Sequence, residues 1–359
     1  MTKKPENKKS ALHISKGKAY RSNINQNFKY KRRKDLGVGD YIAGLLAGDR
    51  VILGRAISLV ESQQAKDQLK AQQIIEKCLP YSGNSLRIGL TGTPGVGKST
   101  FIDSFGQEIL QAGHQLAVLA IDPSSQITKG SILGDKTRMQ QLSVHPKVFV
   151  RPSPAGASLG GVARKTREAV ILCETAGFDA IVIETVGVGQ SETAVHSMVD
   201  FFLLLLLPNA GDELQGIKRG VMEMADLIAI NKADGDNITA AKLAKKQCRN
   251  GLHLFPPKPS DWVATDETCS ALEGKGLDKI WQHIQAFKRQ TTINGYFQEH
   301  RKQQAKYWLE ESINEQLKNL FMRHPNIQQQ FKVLECQVLE GKISPFKAAE
   351  QLIALFKGP

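Results

Sequence analysis

The sequence predicts an α/β protein with a mainly parallel sheet between helices. Six short apolar runs between residues 86 and 230 alternate with segments of helical character. Several runs are apolar almost without interruption, as expected for strands buried on both faces of a parallel sheet. A glycine-rich turn also follows the first run directly and opens a helical segment.

Composition supports a folded protein. The chain has 359 residues, of which 41% are hydrophobic, enough for a sizeable core. Its five cysteines form no CxxC pair or Cys/His cluster, which favours reduced thiols in a cytoplasmic protein. The longest apolar run, Phe201 to Leu207, is far below the ~20 residues that span a bilayer, so no membrane association is expected.

The net charge of +13 belongs mainly to the start of the chain. Residues 1–38 carry 12 Lys and Arg against two acids, Glu6 and Asp35. This composition predicts a disordered basic tail. A solubilising role is the simpler interpretation, and an arm that binds a nucleic acid or a partner is the alternative.

Helical segments are expected on both sides of the central part. Residues 39–85 show helical spacing of apolar side chains, with Gly48-Asp49 separating two helices and Asp49 as an N-cap. Residues 291–359 again show helical spacing, interrupted at Pro325. Their apolar stripe requires a partner, either the body of the protein or a second subunit, and we favour dimerisation.

Residues 86–290 hold the predicted sheet domain. The candidate strands are Leu86–Thr91, Leu116–Ile121, Val148–Val150, Ala180–Glu184, Phe201–Leu207 and Leu227–Ile230. Helices are predicted between them, for example over Ser99–Gln111 and Leu159–Thr175.

The glycine-rich turn has the pattern G-x-x-x-x-G-K-[ST] of a P-loop. Its residues are Gly92, Thr93, Pro94, Gly95, Val96, Gly97, Lys98 and Ser99. Backbone N–H groups of such a loop surround a β-phosphate at a helix N-terminus, Lys98 reaches the β/γ oxygens and the Ser99 hydroxyl can bind Mg²⁺. Thr100 can bond the α-phosphate. These residues predict a P-loop NTPase.

Two later segments indicate guanine as the base. Asn231, Lys232 and Asp234 belong to an NKAD sequence after a buried strand. The Asp234 carboxylate can accept from guanine N1–H and N2–H₂, a donor pair that adenine lacks. Ser270, Ala271 and Leu272 follow a polar, β-like stretch, where a backbone N–H can contact guanine O6. Either segment alone can also be an ordinary turn.

Three acids are candidates for a Mg²⁺ shell. Asp122 and Glu184 follow or end strands, where parallel strands meet a ligand crevice, and Asp135 lies in the loop between them. A capping or solvated carboxylate is the alternative for each. Gly187 can sense a γ-phosphate, and Gln190 is a candidate for positioning water. Loops 123–137 and 208–216 are predicted to change conformation with the nucleotide state. The alternative is that both are ordinary surface loops.

Together these motifs resemble one family from about Gly39 to Phe321. The segments that carry the resemblance are TGTPGVGKSTFID, AVLAIDPSS, GSILGDKTRM, RPSPAGASLGGVARKTREAV, IETVGVGQSE, AGDELQGIKRGVMEMADLIAINKAD and SALEGKGL. They are similar to the methylmalonyl-CoA mutase-associated GTPases, the MeaB/ArgK-type branch of the P-loop GTPases.

The resemblance implies a homodimeric GTPase of low activity that acts on an adenosylcobalamin-dependent mutase. Such a protein gates cofactor loading and protects or reactivates the mutase, so cobalamin is involved only through the client. The resemblance further implies Mg²⁺ among Asp122, Asp135 and Glu184, a third switch around Asp212–Lys218, and dimerisation through the C-terminal helices.

Three other functions stay open. A metallochaperone GTPase would predict a His-rich or Cys-paired metal cluster, but the eight His are dispersed. Some members of the family have carried the description of a kinase or ATPase for lysine/arginine/ornithine transport, which NKAD argues against. The third is a GTPase that binds nucleic acid through the basic tail. The nearly neutral charge of the rest of the chain argues against it.

Overall fold

Parallel strands form the centre of the computed structural model, which describes residues 36–121, 139–152, 159–185, 191–208 and 219–357. Within these ranges one sheet has seven strands. They are β1 (Leu86–Gly92), β2 (Leu116–Ile121), β3 (Val148–Arg151), β4 (Ala180–Thr185), β5 (Phe201–Leu206), β6 (Leu227–Ile230) and β7 (Thr265–Thr268). The predicted α/β class is confirmed, and the six candidate strands form within one residue of their predicted ends.

The strand order is β3-β2-β4-β1-β5-β6-β7. Every pair of neighbours is parallel. In the register, Leu90 lies beside Glu184, and Gly92 lies beside Leu205. The carboxyl end of β1 therefore lies between the ends of β4 and β5, at the edge of the sheet where a ligand crevice is expected.

Helices cover both faces of the sheet. They are α1 (Val38–Leu46), α2 (Arg50–Glu61), α3 (Ala65–Cys78), α4 (Lys98–Gln111), α5 (Gln140–Val144), α6 (Leu159–Thr175), α7 (Ser191–His196), α8 (Arg219–Met224), α9 (Ile238–Leu252), α10 (Leu277–Ile293), α11 (Tyr296–Arg323), α12 (Pro325–Leu339) and α13 (Pro345–Lys357).

Strand β5 shows why a continuous apolar run marks a central strand. All six of its side chains are buried. Phe201, Leu203 and Leu205 belong to the core on one face of the sheet, together with residues of α4 and α10. Leu204 and Leu206 belong to the core on the other face, together with residues of α8 and α9. Alternate side chains thus enter opposite cores, so no position tolerates a polar residue.

The N-terminal helices pack against the β3 side of the domain. Asp49 caps α2, since its carboxylate accepts from the backbone N–H groups of Val51 and Ile52, as predicted. Arg50 donates to the carbonyl oxygens of His145 and Val148, both at 3.0 Å. These bonds fix the prefix to the segment that leads into β3.

The C-terminal helices begin on the body and then leave it. Trp308 and Gln304 of α11 donate to the carbonyls of Ser197 and Val199, at 3.1 and 2.7 Å. Further on, α12 and α13 enclose a small core that includes Ile327 and Leu352. Helix α11 ends at Arg323, and Pro325 is the first residue of α12, a position that proline favours.

The division of the chain into segments 1–38, 39–85, 86–290 and 291–359 stays a prediction. The boundary after residue 290 falls inside α10, one turn before its end. The basic tail lies, apart from residues 36–38, outside the described residues.

Arg301 anchors α11 to the amino edge of the sheet. Its guanidinium donates to both carboxylate oxygens of Asp200, at 2.8 and 2.7 Å, and to the carbonyls of Gly83 and Ser85. It also lies over the ring of Phe297, 4.4 Å from the centroid. The Asp200 side chain is only 2% exposed, so its negative charge is compensated by Arg301 and not by water.

We predict that Arg301→Met lowers the free energy of unfolding by about 3–5 kcal/mol, because it leaves the buried Asp200 carboxylate without its cation. Lys302→Met is the matched control, since Lys302 pairs with Glu299 at an exposed site. We expect the control to cost less than about 1 kcal/mol. Denaturant unfolding of both variants measures the difference, and equal losses would contradict the role of Arg301.

Candidate nucleotide-binding site

The P-loop lies between β1 and α4, as its sequence predicts. A Cβ at Gly92 would lie 2.6 Å from the carbonyl oxygen of Leu205 on the neighbouring strand. Gly97 has φ +92° and forms the N-cap of α4, a conformation that favours glycine. The two glycines therefore allow the chain to turn from strand to helix close to β5, and the free N–H groups of the α4 N-terminus follow at once.

Lys98 lies across this loop. Its Nζ donates to the carbonyl oxygens of Gly92 at 2.7 Å and Thr93 at 3.4 Å. Burial lowers the pKa of Lys98, while the negative charges of Glu184 and Glu192 act in the opposite direction. A partly desolvated ammonium beside a helix N-terminus is suited to a phosphate group.

The other P-loop side chains are placed in the same turn. Ser99 lies in the first turn of α4 and is half-buried, and Thr100 is exposed. Thr93 Oγ1 is buried and has no hydrogen-bond partner among the residues that the structure describes. A buried hydroxyl without a partner is unfavourable, and this one lies within the predicted phosphate loop.

Glu184 lies beside the P-loop strand. It pairs in register with Leu90 of β1 on one side and Ala120 of β2 on the other. Next to it, Thr185 Oγ1 donates to Thr91 Oγ1 at 2.8 Å in the buried sheet. The negative charge of Glu184 raises the pKa of Lys98, against the larger effect of burial.

Four predicted site residues lie outside the described residues: Asp122, Asp135, Gly187 and Gln190. The predicted loop 123–137 falls there too, as does the predicted loop 208–216 except for Pro208. Within the ranges that the structure describes, no three His, Cys, Asp or Glu side chains group as they would to hold a metal ion by themselves.

Asn231 connects the P-loop to the two base-reading segments. Its side chain is buried and donates from Nδ2 to the carbonyl of Val96 at 2.8 Å. Its Oδ1 accepts from the backbone N–H of Ala271 at 3.1 Å. One amide thereby fixes three loops relative to each other.

The remaining residues of NKAD face the same region. Lys232 has φ +58° and donates from Nζ to the carbonyl of Gly95 at 2.9 Å. The Ser270 hydroxyl donates to the carboxylate of Asp234. This bond orients the carboxylate and leaves its other oxygen for a ligand donor.

Leu272 carries the backbone amide that is open to a base. Its side chain is 82% exposed, and its N–H makes no hydrogen bond among the described residues. The Ala271 N–H, in contrast, already bonds Asn231. The Ser270 N–H likewise bonds the carbonyl of Lys275, so of the three amides that the sequence left open Leu272 is the best placed for a carbonyl oxygen of a ligand.

Sequence reasoning missed Ser104. Its hydroxyl, on the second turn of α4, donates to the carbonyl of Ala271 at 2.5 Å. This bond joins the P-loop helix to the segment 270–272 from the side opposite Asn231. No motif contains Ser104, so only the three-dimensional arrangement reveals it.

Among the described residues, no helix is long and apolar enough to cross a membrane.

Comparison with known proteins gives the family. The family model described as methylmalonyl Co-A mutase-associated GTPase MeaB matches residues 53–326. A Caulobacter vibrioides protein named as a putative GTPase is 50% identical over 312 residues, 87% of this chain and 95% of the relative. The mouse methylmalonic aciduria type A homolog, mitochondrial, is 44% identical over 324 residues, 88% of this chain and 78% of the relative.

A solved structure agrees. The crystal structure described as LAO/AO transport system kinase has a TM-score of 0.72 and 37% identity, and the match covers 91% of this chain and all (100%) of that one. Together with a family match over most of the chain, these likenesses lead to one conclusion: the chain belongs to the methylmalonyl-CoA mutase-associated GTPases of the MeaB type, and it is a GTPase.

Proposed function

We propose that the P-loop, NKAD and Ser270–Leu272 segments bind one molecule of GTP. The observation that carries this proposal is the side chain of Asn231, which bonds Val96 and Ala271 and so holds all three segments in one site. Residues 92–100 take the phosphates, with Lys98 at the β/γ oxygens. Asp234 reads guanine N1–H and N2–H₂, Lys232 covers the base, and the Leu272 amide takes O6.

Mg²⁺ accompanies the nucleotide in P-loop GTPases. Ser99 and Glu184 fit this ion, because both offer hard oxygen atoms beside the P-loop and Glu184 acts on Lys98. We propose Asp122 and Asp135 as the other protein members of its shell or of the layer around it. The ion supplies charge neutralisation at the phosphates when bound.

Hydrolysis in such a site depends on positioning and charge. We propose that Lys98 stabilises charge at the transferred phosphoryl group, that Gly187 senses the γ-phosphate through its N–H and that Gln190 positions water. The sequence offers no arginine finger that we recognise. We therefore propose slow intrinsic turnover that a partner accelerates.

We predict that Asp234→Asn weakens GTP binding by about 100-fold and strengthens binding of xanthosine triphosphate. The amide donates where the carboxylate accepts, and xanthine presents a carbonyl where guanine presents N2–H₂. Asp236→Asn, an exposed neighbour, is the control. Competition against a fluorescent nucleotide measures both affinities, and unchanged GTP affinity in Asp234→Asn would remove this residue from the base site.

We further propose that the client is an adenosylcobalamin-dependent acyl-CoA mutase of the methylmalonyl-CoA mutase type. The family description names association with that mutase, and the mouse relative is named for methylmalonic aciduria. In this proposal the GTP cycle gates cofactor loading and protects or reactivates the mutase. Cobalamin is then contacted only through the client.

We predict that the chain hydrolyses GTP in preference to ATP and that purified methylmalonyl-CoA mutase raises the rate. The measurement is phosphate release with each nucleotide, with and without the mutase. Lys98→Ala, which lacks the proposed phosphate contact, is the control for contaminating activity. A rate of GTP hydrolysis that does not change when the mutase is added would refute this client, while the GTPase activity itself would stand.

One alternative has an observation in its favour, since the solved relative is described as a transport system kinase. That function requires ATP. The nucleotide comparison above also decides this case, because turnover of ATP equal to that of GTP would favour the transport-linked function.

We propose that two copies of the chain associate through the C-terminal helices. Four apolar side chains of α11 recur at helical spacing and are 47% to 62% exposed: Leu309, Ile313, Leu317 and Leu320. Such a stripe is unfavourable in water and is typical of a helix that packs on a partner. The family resemblance indicates a second copy as this partner.

We predict that the double variant Ile313→Asp/Leu317→Asp is monomeric while the wild type sediments as a dimer. Two carboxylates in the stripe would lose their hydration on association. Gln316→Asp, on the same turn, adds a charge without removing an apolar side chain and serves as the control. Sedimentation velocity distinguishes the species, and a dimer that survives the double variant would exclude this stripe as the interface.

A further inference from the structure

A cavity of about 1060 Å³ lies at the amino edge of the sheet. Its floor includes Asp200, Asp226 and Thr265, which precede or begin β5, β6 and β7. The P-loop follows the carboxyl end of β1, so the cavity is separated from it by the length of a strand, roughly 15–20 Å. The cavity is thus distinct from the proposed GTP site and has the size of a small-molecule site.

Aromatic rings form much of its wall. Trp262 and Phe287 pack edge to face with centroids 5.5 Å apart. Tyr296 and His300 stack at 5.2 Å with their planes 16° apart. Because their ring faces attract cations and apolar groups alike, these walls suit a planar or apolar ligand body.

The carboxylates around the cavity divide into two groups. Four pair with cations: Asp200 with Arg301, Asp226 with Lys258, Asp266 with Arg249 and Glu267 with Lys245. Glu223 and Asp261 have no ion pair within the described residues. The wall is therefore left with an excess of negative charge, which favours a cation over an anion.

Polar residues also belong to the lining. Thr265 Oγ1 is buried and makes no hydrogen bond within the described part of the chain. His196 and His300 lie with their ring centroids 6.4 Å apart. Burial lowers the pKa of both histidines, which favours their neutral form. The two imidazoles offer hydrogen-bonding atoms to a polar ligand.

We propose that this cavity binds a small organic cation with a flat apolar body, the body against the Trp262 and Tyr296 rings and the charge toward Glu223 and Asp261. This proposal is independent of the proposed function.

Benzamidinium, benzamide and benzoate test this proposal, since they share one body and differ in charge. Titration calorimetry on the full chain is expected to show saturable binding in the order benzamidinium, benzamide, benzoate. Glu223→Gln/Asp261→Asn is expected to weaken benzamidinium about threefold to tenfold and leave benzamide unchanged. Glu335→Gln, an exposed change on α12, is the control and is expected to have no effect.

The same titrations can overturn the proposal. Absence of saturable benzamidinium binding, equal binding of benzoate, or an equal effect of Glu335→Gln would each do so. Since Glu223 and Asp261 are exposed, folding of the double variant is expected to be intact, and its thermal unfolding checks this.

Discussion

The side chain of Asn231 is the constraint on which the nucleotide site depends. It is 1% exposed and follows β6 directly, so the sheet fixes its backbone through the bond from its N–H to Leu206. The side chain then transfers that position to Val96 of the P-loop and to Ala271. An aspartate would lose the donor to Val96, and a leucine would leave both partners unpaired in a buried place.

A different interaction, which recurs three times, stabilises the amino edge of the sheet. An aspartate directly precedes each of three strands: Asp179 before β4, Asp200 before β5 and Asp226 before β6. Each accepts the backbone N–H of a residue in or before a neighbouring strand, namely Gln115, Arg87 and Phe202, at 2.7 to 2.8 Å. The first N–H of a strand otherwise lacks a partner, so these carboxylates complete the ladder.

Sequence predicted the parts of this protein that hydrophobic burial dictates. The inner strands β1, β2, β4, β5 and β6 are buried over most of their length, so their runs are mainly apolar. Strand β7 is different, because this edge strand reads Thr-Asp-Glu-Thr and is held by the pairs of Asp266 with Arg249 and Glu267 with Lys245. Its polar sequence gave only a weak β-like signal, since an edge strand is covered on fewer sides.

The candidate nucleotide site also contains some residues that the sequence predicts and others that it does not. Motif residues such as Lys98 and Asp234 can be proposed from the sequence, because the binding of phosphate and of guanine each requires a residue type at a fixed spacing. The bond from Ser104 to Ala271 cannot be, since it joins residues 167 positions apart and any small donor on that face of α4 would serve. The aspartates at the amino edge each precede an apolar run, but their bonds to a neighbouring strand depend on the strand order, which the sequence does not reveal.

The electrostatics of Lys98 give a physical reason for the metal ion. Glu184 and Glu192 oppose the lowering of its pKa by burial, so negative charge already acts on the Lys98 ammonium. A triphosphate adds several further negative charges to that place. Lys98 alone does not balance them, and repulsion from the two carboxylates would weaken binding. We infer that these acids favour the nucleotide only when a divalent cation enters with it, which links GTP binding in this chain to Mg²⁺.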